Sequence, residues 1–203
     1  ADELARVDQQ RSSLLAAVGH DLRTPLATIK ASVSTLRQDD VELDEPDQDE
    51  LLATIEHNAD RLAELIANLL DMSRLQAGEL SVRFAPVAIA EVLVGALRQA
   101  GGQVELDLPE DLPLVQADAG LLERVLENLV DNAARHLPVG QTVLLQARAE
   151  ANQVQVRVID HGPGVPAARF ASMFQPFQRF DDRSGGGVGL GLAIARGFTH
   201  AMG

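Results

Sequence analysis

The chain has 203 residues, 46% of them hydrophobic, which is enough for one large or two small cores. Its net charge of −13 excludes the basic footprint of a nucleic-acid binder, and the absence of Cys excludes disulfides and thiolate metal sites. Aromatic content is 3%, with no Trp or Tyr, so any core must be aliphatic.

No uninterrupted apolar run is long enough to cross a bilayer, and no signal peptide is visible. The expectation is a soluble piece of a longer protein. Residues 2–38 read as one long helix, because Leu14, Leu15, Val18, Leu22, Leu26, Ile29, Val33 and Leu36 recur at helical spacing. Pro25 lies inside this pattern and predicts a bend just after His20. Residues 39–49 are acidic, contain Pro46 and read as a turn. A second helix over 50–77 follows, with Leu52, Ile55, Leu62, Leu65, Ile66, Leu69 and Met72 on its apolar side and Gly78 as C-cap. Two such helices predict an antiparallel hairpin. One hairpin buries its stripe poorly, whereas two of them form a four-helix bundle.

The texture changes after Gly78. Ser81–Phe84 predicts a short strand, Val87–Gln99 a helix and Gln103–Leu108 a strand. Asp118 predicts an N-cap for a helix running to His136. Thr142–Ala149 and Gln153–Asp160 predict a strand pair turning at Ala151-Asn152. Gly189–Ala201 predicts a last helix. Strands and helices interleave without βαβ regularity, so the expected fold is an α+β sandwich with helices on one face of the sheet.

Four motifs carry chemistry. The first is Gly19-His20-Asp21-Leu22-Arg23-Thr24-Pro25. A lone helical histidine is ordinarily a surface residue, and His57 and His200 read that way. His20 differs by its neighbours. A neutral imidazole nitrogen attacks phosphorus well, and an adjacent carboxylate fixes the tautomer and stabilises the cation formed. The second is Glu127-Asn128-Leu129-Val130-Asp131-Asn132-Ala133-Ala134-Arg135-His136. Asn128 and Asn132 share a helix face. Either this is a polar stripe on a half-buried helix, or the amide oxygens serve Mg²⁺ while Arg135 pairs with phosphate. The third is Asp160-His161-Gly162-Pro163-Gly164, which is also ordinary turn chemistry. The fourth is Gly185-Gly186-Gly187-Val188-Gly189-Leu190-Gly191-Leu192, opening a helix. Glycines before a helix N-terminus let backbone N–H groups face phosphates. A Rossmann fingerprint would need an earlier parallel strand, and a Walker A loop a Gly-Lys-Ser/Thr, whereas the only Lys is Lys30.

In this order and spacing the four motifs resemble the H, N, G1 and G2 boxes of sensor histidine kinases, over nearly the whole chain. The resemblance implies residues 1–78 as a dimerisation and histidine phosphotransfer domain. It implies 79–203 as an ATP-binding domain of the histidine kinase/gyrase/Hsp90 type, truncated at its C-terminus, since family members continue with further strands. It implies His20 as phospho-acceptor, Asp21 as its acidic partner and Thr24 as the residue that orients water for dephosphorylating the regulator. Gly19 departs from the family's usual Ser. Asn132 would hold Mg²⁺ with support from Asn128, a position where related ATPases carry a Glu base. Arg135 would face phosphate, in a place where the family often has Lys-Tyr rather than Arg135-His136. Asp160 would accept from the adenine amino group, with Gly162 and Gly164 beside the base. Phe174-Gln175-Pro176-Phe177-Gln178-Arg179 resembles the F box, with Arg179 toward the terminal phosphate. Gly187, Gly189 and Gly191 would cradle ATP.

The implied reaction is phosphoryl transfer from ATP to His20 and on to an aspartate of a response-regulator receiver domain, with regulator phosphatase activity as well. The implied assembly is a homodimer in the cytoplasm, tied to a membrane only through regions N-terminal to this chain. Ala31–Leu36 and Leu69–Gly78 are similar in wording to the potassium-responsive branch of the family. A degenerate kinase that only dimerises and docks a regulator, and an ATP-driven conformational ATPase, stand as alternatives.

Overall fold

The computed structural model describes residues 2–38, 43–97, 104–178 and 188–203. Helix α1 runs Asp2–Leu36 and α2 runs Glu45–Ala77. Then come β1 (Ala85–Val87), α3 (Ile89–Leu97), β2 (Val104–Asp107), β3 (Val115–Ala117), α4 (Ala119–Arg135), β4 (Val143–Glu150), β5 (Gln153–Ile159), a 3₁₀ turn (Ala167–Arg169) and α5 (Gly191–Met202). The molecule divides into two compact units. Among the described residues, the first holds those from Asp2 to Leu70 with Val188, and the second those from Asp71 to Gln178 with Gly189–Gly203.

The first unit is a helical hairpin. Helix α1 is continuous through Pro25, which is fully buried. Helix α2 begins five residues before the predicted start. Asp44 caps it by accepting the Asp47 N–H at 2.9 Å, and Pro46 sits in the first turn, where its missing N–H is not needed. The helix ends as predicted at Gly78, with φ 67°. The Gly78 N–H reaches the Leu75 carbonyl at 3.3 Å and the Glu79 N–H the Arg74 carbonyl at 3.2 Å, a Schellman closure.

The second unit is the expected α+β layer. Strand β4 pairs with β2 in parallel and with β5 antiparallel, and β1 pairs with β3 in a separate antiparallel ribbon. Along β4, Val143, Leu145 and Ala147 are buried, while Leu144, Gln146 and Arg148 face the other side. The inner face packs on α3 and α4 through Leu93, Ala96, Leu126 and Val130. Ala151 takes φ 51° at the β4–β5 turn. Strand β1 lies at 85–87 rather than the predicted 81–84, because its partner is β3, too short to show a period in sequence. Val87 is therefore strand, and α3 starts at Ile89. Gly189 is outside α5, which starts at Gly191.

Candidate active site

His20 projects from α1 with 77% of its side chain exposed, and its Nδ1 lies 3.3 Å from Oδ1 of Asp21. The Asp21 side chain is only 12% exposed, so the carboxylate is held while the imidazole is free to be reached. A carboxylate can only accept here, so Nδ1 is the donor, and in the neutral imidazole that tautomer leaves the lone pair on Nε2. One turn later the Thr24 hydroxyl donates to the His20 carbonyl at 3.3 Å, and the Thr28 hydroxyl to the Thr24 carbonyl at 3.2 Å. Thr24 is exposed, on the same face as His20, with its oxygen still able to accept.

The second group is built on α4. Asp118 caps this helix, accepting the Leu121 N–H at 3.2 Å with one oxygen and the Arg83 N–H at 2.8 Å with the other. The Arg83 N–H is the main cause holding its carboxyl below the usual range, and the N–H groups of Leu121 and Gly120 add to it. Asn128 is buried, and its Nδ2 donates to the Arg124 carbonyl at 2.7 Å. That bond fixes the amide orientation, so Oδ1 faces α5. There it lies 2.8 Å from where a Cβ on Gly191 would be. Asn132, one turn on, is half-buried, and its side chain makes no hydrogen bond among the described residues. Arg135 is exposed in the last turn.

The loop after β5 closes on the end of α4. Asp160 Oδ1 accepts the Gly162 N–H at 2.8 Å, leaving Oδ2 for another partner. A Cβ on Gly162 would lie 3.1 Å from the His136 carbonyl oxygen, so this loop needs glycine to approach the helix. Gly164 has φ 70°. The Phe177 N–H reaches the Gly189 carbonyl at 2.8 Å, joining the F-box residues to the glycine run. Gly189 has φ 71°, and a Cβ there would meet the Gln178 carbonyl oxygen at 2.6 Å. No side chain among the described residues caps the N-terminus of α5, whose first N–H groups suit an anion. Arg179 and Gly187 lie outside the described residues.

The structure thus brings Asn128 against Gly191, and Gly162 against the end of α4, while His20, Asp21 and Thr24 belong to the other unit. No cluster of His, Asp or Glu among the described residues could hold a metal alone. The unengaged amide of Asn132 suits a hard cation that arrives already bound to phosphate and keeps several waters.

Sequence reasoning missed Arg124. Its Nε and Nη2 donate to Asp71 Oδ2 at 3.1 and 2.8 Å, and its Nη1 to Glu127 Oε2 at 2.9 Å. Burial opposes the Arg124 charge, and Asp71 and then Glu127 outweigh it. The Arg124/Glu127 spacing is legible along a helix; Asp71, 53 residues away, is not. Arg196 also lies over the Phe174 ring, 5.9 Å from its centroid.

Residues 10–78 match the His Kinase A (phospho-acceptor) domain, and residues 117–203 match the histidine kinase-, DNA gyrase B-, and HSP90-like ATPase. The chain is 47% identical to the sensor protein KdpD of Mycobacterium tuberculosis and 34% identical to that of Escherichia coli K12, in each case over 100% of this chain. It spans 25% and 24% of those proteins, about a quarter of their length. Histidine kinase AdeS of Acinetobacter baumannii has the same fold, with TM-score 0.63 and 24% identity over 90% of this chain and 86% of that one. ShkA, solved in complex with AMPPNP, aligns with TM-score 0.61 and 30% identity over 92% of this chain and 40% of its own.

Proposed function

The chain belongs to the sensor histidine kinases, and on that premise we propose that it transfers the terminal phosphoryl group of ATP to Nε2 of His20. The observation that carries this reading is the imidazole itself: exposed, with Nδ1 engaged by Asp21 and Nε2 free. The Nε2 lone pair forms a bond to the γ-phosphorus as the bond from that phosphorus to the β,γ-bridging oxygen breaks and ADP leaves. The imidazole gains positive charge, which the Asp21 carboxylate stabilises through the Nδ1–H. Little covalent work falls to the protein; positioning and charge dominate.

ATP is held in the second unit, with Asp160 Oδ2 toward the adenine amino group, Gly162 and Gly164 beside the base, and Gly187, Gly189 and Gly191 around the phosphates. Asn132 is the ligand for Mg²⁺, which neutralises charge on the phosphates. Arg135 and Arg179 serve the same anionic groups. The Oδ1 of Asn128 faces Gly191, which favours a supporting role for it over direct ligation. The phosphoryl group then passes to an aspartate of a receiver domain. The exposed Thr24 oxygen, one turn from His20, positions water for the reverse hydrolysis on the regulator.

A homodimer is the working form. Leu26 and Val33 on α1 and Leu52, Ile66 and Leu70 on α2 are 38–58% exposed, an apolar surface that a second hairpin would cover. No helix among the described residues is long and apolar enough to cross a membrane. The chain spans about a quarter of its relatives' length, and we read it as the cytoplasmic core of a longer, membrane-anchored sensor. Phosphohistidine is acid-labile and base-stable. Such a label should form from γ-labelled ATP and vanish in His20→Gln, which should still bind ATP. A label persisting in that variant would move the acceptor to another of the five histidines. Thr24→Ala should lose phosphatase activity while keeping autokinase activity; a parallel fall in both would reduce Thr24 to supporting the local helix.

A further inference from the structure

The last two turns of α2 pack with the nucleotide-binding unit, which begins at Asp71. Asp71 and Leu75 are four residues apart and share one face of α2. Asp71 receives two donors from Arg124 of α4, with the paired side chains 15% and 29% exposed. Leu75 approaches Gly197 of α5 so closely that a Cβ there would meet Leu75 Cδ1 at 2.7 Å. A glycine inside a helix is intrinsically unfavourable. At Gly197 that cost is matched by the close approach of Leu75. The same two helices meet each other at Asn128 and Gly191, one turn after Arg124 and at the first residue of α5. The Schellman closure at Gly78 ends α2 directly after these contacts.

We propose that Asp71 and Leu75 are positioning residues of the ATP site. The segment Asp71–Ala77 is a brace across α4 and α5 that sets the spacing at which Asn132 and the N-terminus of α5, held apart by Asn128, meet the phosphates. Arg124 is its pin, fixed from both sides by Asp71 and Glu127. The inference rests on the reading of this unit as ATP-binding. By linkage, nucleotide binding should in turn strengthen the Asp71–Arg124 contact.

The test measures the Kd of a non-hydrolysable ATP analogue with Mg²⁺ on the full chain, alongside its thermal melt. Asp71→Asn keeps the shape of the side chain and should raise Kd by about 10-fold, a usual scale for groups coupled through one network. Arg124→Gln should do the same, and the double variant should be no worse than either. Gly197→Leu displaces Leu75 while improving the helix propensity of α5. A merely structural contact would lower the melt by overpacking and leave Kd unchanged; the brace requires weaker nucleotide binding. Unchanged Kd in Asp71→Asn and Gly197→Leu, whatever happens to the melt, overturns the brace. Additive effects of Asp71→Asn and Arg124→Gln overturn the pin. A wild-type chain that binds no analogue overturns the ATP reading itself, and the brace with it.

Discussion

The two units bury their residues in opposite ways. From Asp71 onward, β4 turns Leu145 and Ala147 onto Leu93, Leu126 and Val130, all at or near zero exposure. In the hairpin, the buried set among the described residues from 18 to 70 is Val18, Pro25, Ser32, Leu65 and Asn68, while Leu26, Leu52, Ile66 and Leu70 stay half or more exposed. A unit that closes its own core can present a precise cradle for a small molecule. A unit that leaves its apolar stripe open offers a surface that, on the proposed reading, a second copy covers, and it presents His20 on the outside. His20 at 77% exposure and Asn128 at 7% are the two ends of that contrast.

The contrast predicts variants whose effects differ in kind. Asn132→Ala removes the proposed Mg²⁺ ligand from the closed unit and should slow autophosphorylation by ~10²-fold or more, as loss of one transition-state stabiliser does. The fold should be kept, because the Asn132 side chain makes no hydrogen bond among the described residues. An unchanged rate would return Asn132 to a solvated stripe. In the open unit, Ile66→Asp places a charge on the apolar stripe and should weaken dimerisation by about 10²-fold without changing ATP affinity. Sedimentation equilibrium reads this, and a dimer that persists would locate the interface elsewhere.

A smaller effect separates packing from chemistry inside the cradle. Gly191→Ala forces a methyl group against Asn128 Oδ1, 2.8 Å away. Overpacking of this sort costs ~1–3 kcal/mol, so ATP affinity should drop by roughly 10-fold. Adding Asn128→Ser should recover much of it. If Asn128 were instead an indispensable metal ligand, the double variant would be worse than Gly191→Ala, and the recovery experiment tells these apart.

The smallest concerns the cap of α4. Asp118→Ala should cost ~1 kcal/mol of the second unit's stability. The Asp118 carboxyl is lowered in the folded chain relative to the ordinary 3.8. Its contribution is therefore complete above that value and lost as pH falls through the folded value. The melting difference between wild type and Asp118→Ala should be constant near neutrality and shrink below about pH 4. A difference that persists at lower pH would mean that the variant acts through packing rather than through the carboxylate.

The amino-acid pattern alone carried a good deal of this. Periodicity marked both long helices because their stripes repeat every three or four residues over many turns. Asp118 and Gly78 marked two helix ends because capping is a local bond between near neighbours. The H, N, G1 and G2 motifs were legible for the same reason, since each is a run of residues in one turn or loop. What tertiary structure decided were relations between distant residues. Strand β1 took its place from β3, Gly191 met the Oδ1 of Asn128, and Arg124 found Asp71 from 53 residues away. Hydrogen bonds within a turn follow from the order of the residues, whereas these contacts exist only once helices and strands from far-apart segments have packed and excluded water between them.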